Sequence, residues 1–303
     1  MRLLRRSLVS FLVSVLASIP MAGLADDFII SFGEIPNEGH RKFGEQMVKM
    51  YEELGLGHAK LMTYPFPRSL QSVGDGKVDA HLPMINFDHP APGGQNYILS
   101  TQPYAKVVFV LYSNKKKPLT RKNLEEAHFH LAEDVLKRKD FVEVAGKLRP
   151  LLDFSYSTRL AFEEALRERL TDAEFDRYRE KLVESSYPFH IGSLTTNTGR
   201  LLDVPSVSLV SVEGAMKMVN AGRLDGYILA QEDCDGIIYK DSLVNVHRSY
   251  FDTYPVYLAI PRGEKGKKSD EIISKILGAM KAKKIFDQYS LAIHADKYED
   301  WQP

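Results

Sequence analysis

Hydrophobic residues in this chain fall into short continuous runs that alternate with stretches of helical periodicity. The apolar run over residues 28–32 predicts a buried strand, and apolar positions at three- and four-residue spacing over 38–54 predict an amphipathic helix. The same reasoning predicts further strands at 59–63, 78–84, 107–112, 189–193, 226–230, 243–246 and 254–260, and further helices at 68–73, 212–221, 269–282 and 285–295. This alternation indicates βαβ units and a mainly parallel sheet, whose ligand crevice lies at the carboxyl ends of the strands.

Residues 120–185 break the alternation. They are rich in charged side chains at helical spacing and predict three or four helices. Thr171 and Glu174 have the spacing of a capping box, which marks the start of one of these helices. We therefore expect a helical insertion within an α/β fold.

A short internal repeat indicates two lobes. The sequence Gly-Lys-Val-Asp-Ala at 76–80 is echoed by Gly-Arg-Leu-Asp-Gly at 222–226. Each copy ends a predicted helix and opens a predicted strand. Glycine suits a left-handed helix stop, and the basic residue interacts with the last helical carbonyls.

The first 25 residues have the pattern of a secretory signal peptide. They contain three arginines and no acid, then an apolar stretch too short for a comfortable membrane span, then small residues before Asp26. The alternative is a retained N-terminal anchor. Cleavage removes three of the 40 basic residues and leaves 37 against 40 acidic ones, so the mature chain has a net charge near −3. We therefore expect a periplasmic protein.

Composition excludes several classes of function. The 303 residues carry 40 Lys and Arg against 40 Asp and Glu, so there is no basic surplus for binding nucleic acid. Cys234 is the one cysteine, which excludes an intramolecular disulfide, a Cys-based zinc site and an Fe–S cluster. His81 and His89 could approach each other beside Asp88, but the nine histidines lack a metal-binding spacing. We predict no metal and no cofactor.

Several short motifs together resemble one known family. In chain order they are Pro-Phe-Pro-Arg-Ser-Leu at 65–70, Gly-Lys-Val-Asp at 76–79, Gln-Pro-Tyr at 102–104, the stretch 191–198, Gly-Arg-Leu-Asp at 222–225 and the two closing helices. This order resembles the type II periplasmic solute-binding proteins of the amino-acid-binding kind, extracellular solute-binding family 3, over roughly the whole mature chain. It is most similar to orphan members, whose ligands and transport partners are often unassigned.

The resemblance implies an α/β fold with two lobes joined by two crossing strands, which close on a small ligand by hinge motion. We expect the crossing strands near 107–113 and 254–261. Lobe 1 is then discontinuous, with residues 26–110 and 257–303, and lobe 2 comprises 111–256, including the insertion. The resemblance also implies a monomer that passes its ligand to an ABC-type permease or a membrane sensor.

Candidate ligand contacts lie at or near the predicted strand ends. In the first lobe they are Glu34, Tyr64, Arg68, Met84, Asn86 and Tyr104, and in the second lobe they are Ser193, Thr195, Thr196, Asn197, Thr198, Gln231 and Glu232. Hydroxyls and N–H groups over 193–199 would converge on a helix N-terminus, which suits an anion, although plain capping by Thr195 or Asn197 is the alternative. Arg68 either meets an anion or extends into water.

Family members that bind amino acids usually carry an arginine shortly after the third strand, where it binds the ligand carboxylate. Residues 86–97 contain no arginine. This departure argues against an amino acid, and we predict a small polar or anionic solute. Three alternatives stay open on the same fold: a partner-binding module that uses the insertion, a receptor for an apolar ligand, and a dehydratase-like enzyme with Glu34 and Glu232 as its acid and base. We expect a protein that is not an enzyme.

Overall fold

The structure is a computed structural model that describes residues 27–35, 38–86, 96–194, 204–209, 211–291, 293 and 297–303. The predicted signal peptide lies outside these residues. The strands are β1 (Phe28–Glu34), β2 (Ala59–Pro65), β3 (Ala80–Ile85), β4 (Tyr97–Leu99), β5 (Ala105–Asn114), β6 (Phe129–His130), β7 (Ser155–Tyr156), β8 (Ile191–Ser193), β9 (Val207–Ser208), β10 (Gly226–Ala230) and β11 (Val246–Pro261).

The helices follow the amphipathic segments of the sequence. They are α1 (Gly39–Glu53), α2 (Phe66–Gly74), α3 (Arg121–Glu125), α4 (Glu133–Leu136), α5 (Ala145–Leu148), α6 (Arg159–Arg167), α7 (Asp172–Ser186), α8 (Val212–Asn220), α9 (Gln231–Asp241), α10 (Gly263–Ala282) and α11 (Phe286–Leu291). Short 3₁₀ turns at Lys139–Phe141 and Arg149–Leu151 complete the helical insertion.

One mixed sheet organises the molecule. Among the described residues its order is β2-β1-β3-β11-β5-β10-β8-β9, and β4 pairs with the end of β11. The strands β1, β2 and β3 are parallel to one another, as are β8, β9 and β10, whereas β5 and β11 are antiparallel to each other. We call the part built on β1 to β4 lobe one and the part built on β8 to β10 lobe two.

The long strands β5 and β11 run through both lobes. β11 pairs with β3 and β4 at one end and with β5 along most of its length, with an irregularity between Tyr250 and Asp252. Seven consecutive residues of β5, from Val107 to Ser113, are buried, which is the pattern of a strand covered on both faces. The sequence predicted two separate strands at 243–246 and 254–260; the structure corrects this to one strand.

In the part of the chain that the structure describes, apolar side chains form one large core and two smaller ones. The large core contains Phe43 of α1, Phe109 of β5, Phe162 of α6 and Leu277 of α10, so it connects lobe one, the long strands and the insertion. A second cluster packs α8 and α9 on the lobe-two sheet, and a third packs α2 on the lobe-one sheet. Within the described ranges, no helix has the length and apolar character needed to span a membrane.

Candidate ligand-binding cleft

The strand ends of the two lobes face each other across the middle of the long strands. The last residue of β3, Ile85, pairs with Val256, which pairs in turn with Ala105 at the start of β5. The last residue of β10, Ala230, pairs with Phe109 of the same strand. Ala105 and Phe109 are four residues apart along β5, which separates the two strand ends by roughly 13 Å.

This arrangement forms a cleft with a two-strand hinge at its base. β3 runs toward the gap from one side and β10 runs toward it from the other, so both carboxyl ends border the same space. Loops and helix starts that follow parallel strands lie at such ends, where ligands of open α/β sheets bind. The strand pairing therefore defines the candidate site from the backbone alone.

Four predicted contacts lie at the lobe-one border of this cleft. Glu34 is the exposed last residue of β1, and Asn86 is exposed directly after β3. Tyr64 and Arg68 bracket the junction of β2 and α2, where the guanidinium carbon lies 5.3 Å from the centre of the tyrosine ring. Met84 is nearby in sequence, but its side chain is buried in the small core beneath α2.

Tyr104 lies deeper than a surface contact. Its side chain is fully buried, the hydroxyl lies 2.7 Å from Nδ1 of His40, and the ring packs on Phe43 at 4.6 Å. Burial raises the pKa of this phenol well above its usual value. These contacts tie the start of β5 to α1.

A buried polar chain that the sequence analysis did not identify lies behind the lobe-one border. The hydroxyl of Ser69 donates to Ser31 at 2.8 Å, and Ser31 donates to the Ala80 carbonyl at 3.2 Å. Nδ1 of His81 lies 2.7 Å from the Ser69 hydroxyl, so the ring nitrogen donates and the hydroxyl accepts. The sequence does hold a sign of this chain, because Ser31, Ser69 and His81 are polar residues on otherwise apolar elements.

His81 is fully buried, and its Nε2 has no hydrogen-bond partner among the described residues. Burial lowers the pKa of His81 to about 3, against a smaller opposing effect of the Pro83 backbone, so the imidazole is neutral. Its ring meets Phe66 edge-on at 5.0 Å. A Cβ at Gly33 would lie 2.9 Å from this ring, which explains a glycine near the end of β1.

The lobe-two border carries two more predicted contacts. Ser193 ends β8, is buried, and lies 3.2 Å from the Ser206 hydroxyl. Glu232 is half-buried in the first turn of α9. The predicted contacts that fall outside the described residues are Thr195, Thr196, Asn197 and Thr198.

Gln231 is the first residue of α9, at the cleft end of β10, but its amide is directed elsewhere. Nε2 donates to the Lys297 carbonyl at 3.1 Å, and Oε1 accepts from the Glu299 N–H at 3.3 Å. The side chain is 2% exposed. Gln231 therefore connects the edge of the candidate cleft to the end of the chain.

Charge differs between the two borders. α2 and α9 begin directly after β2 and β10, so the positive ends of their dipoles lie at the two borders of the cleft. Among the described residues neither helix has a side-chain cap for its first N–H groups. Arg68 adds a cation at α2, whereas Glu232 and Asp233 add carboxylates at α9. The first border therefore presents positive charge to the cleft, and the second presents carboxylates.

In the described ranges, no cluster of three or more His, Cys, Asp or Glu side chains could hold a metal ion. The pairing considered for His81 involves His89 and Asp88, which lie outside those ranges. Cys234 is fully buried, and burial raises the pKa of its thiol, as expected for a small core residue.

A surface cavity of about 450 Å³ lies away from the cleft, where the insertion meets lobe two. Arg138, Lys181 and Asp225 are among the residues that line it. The predicted contacts that the structure describes do not line this cavity.

Comparison with known proteins supports the fold. No family model and no curated protein matches this sequence. A histidine kinase sensor domain with similarity to periplasmic binding proteins matches 89% of this chain and 96% of its own, with a TM-score of 0.53 and 9% identity. An ancestral arginine-binding protein bound to arginine matches 88% of this chain and 97% of its own, with a TM-score of 0.52 and 12% identity.

The GluR0 ligand-binding core from Nostoc punctiforme in complex with L-glutamate is also similar, with a TM-score of 0.51, 10% identity, and coverage of 89% of this chain and all of that one. At such low identities the likeness concerns the fold alone. It confirms the predicted class: a two-lobed α/β fold like that of the type II periplasmic binding proteins, with crossing strands and a helical insertion.

Proposed function

We propose that this protein is a solute-binding protein that captures a small polar or anionic solute between its two lobes. The observation that carries the proposal is the opposition of the β3 and β10 ends across a two-strand hinge. Two of the similar structures hold arginine and L-glutamate, which are small charged molecules, and this agrees with a cleft of this kind. In this function the protein needs no catalytic residue.

Arg68 is the residue we assign to the anionic group of the solute. It lies exposed in the first turn of α2, where the helix dipole already favours negative charge, and it stacks on Tyr64. Glu34, Asn86, Ser193 and Glu232 complete the proposed contacts among the described residues, with Glu232 accepting from a donor group of the solute.

Calorimetric titration of the mature chain against amino acids, polyamines, organic acids and phosphonates tests the proposal. We expect one-to-one binding of one class. Arg68→Ala then weakens that binding about tenfold or more, which is about 1.4 kcal/mol. Arg223→Ala, at an exposed arginine after α8, is the matched control and leaves affinity unchanged. Absence of binding across all four classes would contradict the proposal.

We further propose that residues 1–25 are removed on export to the periplasm, and that an ABC-type permease or a membrane sensor receives the loaded protein as a monomer. We also propose that lobe one ends at residue 110 and resumes at 257, and that lobe two spans 111–256, so the chain passes between the lobes within β5 and β11. Mass analysis of the exported protein checks the first point: a chain that begins at Asp26 is expected.

A further inference from the structure

The segment at the end of the chain, residues 297–303, contacts lobe two although the helices before it pack on lobe one. Met280 of α10 shares the large core with Phe43 of α1, and the Phe286 ring of α11 lies 6.1 Å from the same phenylalanine. Tyr298 and Trp301, in contrast, pack against the α8–α9 core of lobe two. The closing segment therefore adds a third covalent connection between the lobes, beside β5 and β11.

A buried arginine of β11 anchors this segment. The Arg248 side chain has no exposed surface, and its Nε and Nη2 donate to the two carboxylate oxygens of Asp235 at 2.9 and 2.7 Å. Nη1 donates to the carbonyls of Glu299 and Trp301, both at 2.7 Å. Because a buried guanidinium needs partners for its N–H groups, the closing segment completes a site that Asp235 alone would leave unsatisfied.

The side-chain amides of Gln302 and Gln231 also hold residues 297–303 on lobe two, each by a pair of hydrogen bonds like those between neighbouring strands. The backbone N–H of Arg248 donates to Oε1 of Gln302 at 2.8 Å, and Nε2 of Gln302 donates to the carbonyl of Arg248 at 2.7 Å. Gln231 makes a second such pair with Lys297 and Glu299. The attachment thus reaches from β11 to the first residue of α9, at the border of the candidate cleft.

Ring stacking covers the anchor. The Trp301 ring lies 4.1 Å from the Arg248 guanidinium carbon, and it stacks on Tyr239 of α9 at 4.6 Å with 24° between the planes. Lys115, just after β5, also donates to the carbonyl of Pro303. Stacking and hydrogen bonding together hold the segment on lobe two at several separate points.

We propose that residues 297–303 form a strap that limits the separation of the two lobes. Two adjacent strands bend and twist readily, but a third connection that is held at several points on lobe two resists separation of the lobes. The first residues of the strap, Lys297 and Glu299, bond the Gln231 side chain, so the strap is attached to the first turn of α9 as well as to β11. The strap acts on the mechanics of the fold, whether or not a solute is bound.

Electron spin resonance of the unliganded full chain measures the lobe separation directly. Nitroxides at Lys49→Cys on α1 and Lys240→Cys on α9, both exposed positions, report one distance between the lobes. Cys234 is fully buried and stays unlabelled, which labelling of the unmodified chain verifies. We compare the original sequence with Trp301→Ala/Gln302→Ala and with a chain that ends at residue 296.

We expect the distance distribution to broaden about twofold, toward longer distances, in both strap variants. Phe154→Ala removes an exposed aromatic ring from the insertion and is the matched control, with no broadening. The double variant keeps Arg248 and Asp235, so it remains informative if the shortened chain does not fold. An unchanged distribution in a folded double variant overturns the proposal, and because no ligand is used, that result leaves the proposed function untouched.

Discussion

At the scale of single residues, the buried surroundings of His81 decide its protonation state. The chain of donors from His81 through Ser69 and Ser31 to the Ala80 carbonyl fixes its tautomer, since each hydroxyl hydrogen is already in use. The proton therefore lies on Nδ1, and Nε2 carries a lone pair. Neutral imidazole is the form that this environment tolerates.

We expect His81 to make stability depend on pH. Its pKa is about 3 in the folded chain and near 6.5 when unfolded, so the unfolded state binds one more proton between these values. The contribution of His81 to the free energy of unfolding is complete above pH 6.5 and is lost progressively as the pH falls toward 3. Below pH 3 the ring is protonated in both states, so this contribution no longer changes with pH. The expected slope is about 1.4 kcal/mol per pH unit.

Urea unfolding of His81→Asn and of the original chain between pH 7 and 4 measures this effect, because the difference between the two should shrink or reverse at the acidic end. His58→Asn is the matched control, since that side chain is 87% exposed and stays in solvent in both states. Parallel pH curves for His81→Asn and the original chain would show that the buried ring does not titrate as described.

At the scale of elements, capping organises the insertion. Thr171 accepts from the Glu174 N–H at 3.3 Å, and the Glu174 carboxylate accepts from the Thr171 N–H at 2.9 Å, as the spacing predicted. Helix α7 places Phe175 and Leu182, both fully buried, in the large core. The start of α7 therefore aligns apolar residues that the core needs.

We predict that Thr171→Ala lowers the free energy of unfolding by about 1 kcal/mol, because one N–H at the start of the helix loses its partner. Thr171→Ser keeps the accepting hydroxyl and should stay within about 0.5 kcal/mol of the original chain. Denaturant titration followed by circular dichroism compares the three proteins. Equal losses in the alanine and serine variants would mean that the methyl group, not the cap, carries the effect.

Sequence periodicity was informative where neighbours along the chain decide the structure. The apolar pattern located α1 and β10 to within about one residue, since each buries a face set by local spacing. It divided β11 in two, because polar residues near Asp252 interrupt the apolar run while the strand continues through pairing with β5. Strand pairing between distant segments is not encoded in local spacing.

The candidate site shows the same division. The positions of Glu34, Asn86 and Glu232 at or near strand ends were predictable because local apolar runs end just before them, whereas their contact with a solute stays a prediction. The partners of Gln231 were not predictable, since residues 297–303 lie 66 or more positions away and carry no motif. Arg248 was missed for the same reason: only the assembled fold shows that this arginine is buried.

At the scale of the whole molecule, the large core makes the lobes interdependent. It runs from Phe32 in lobe one through Phe109 and Leu111 of β5 to Phe162 in the insertion. The cores on the other face of the sheet are separate, one for each lobe. A continuous core on one face couples unfolding of the two lobes, even though hinge motion can separate their borders on the other.

We therefore predict one cooperative thermal transition, with calorimetric and van't Hoff enthalpies that agree. Phe109→Ala in the shared core should cost about 3–5 kcal/mol, and Met216→Ala in the lobe-two core about 2–5 kcal/mol. Differential scanning calorimetry of both variants distinguishes coupling from independence. If the lobes unfold together, each variant lowers the temperature of a single transition, because damage to either core destabilises the whole chain. If Met216→Ala splits the transition in two, lobe two unfolds on its own and the shared core does not couple the lobes.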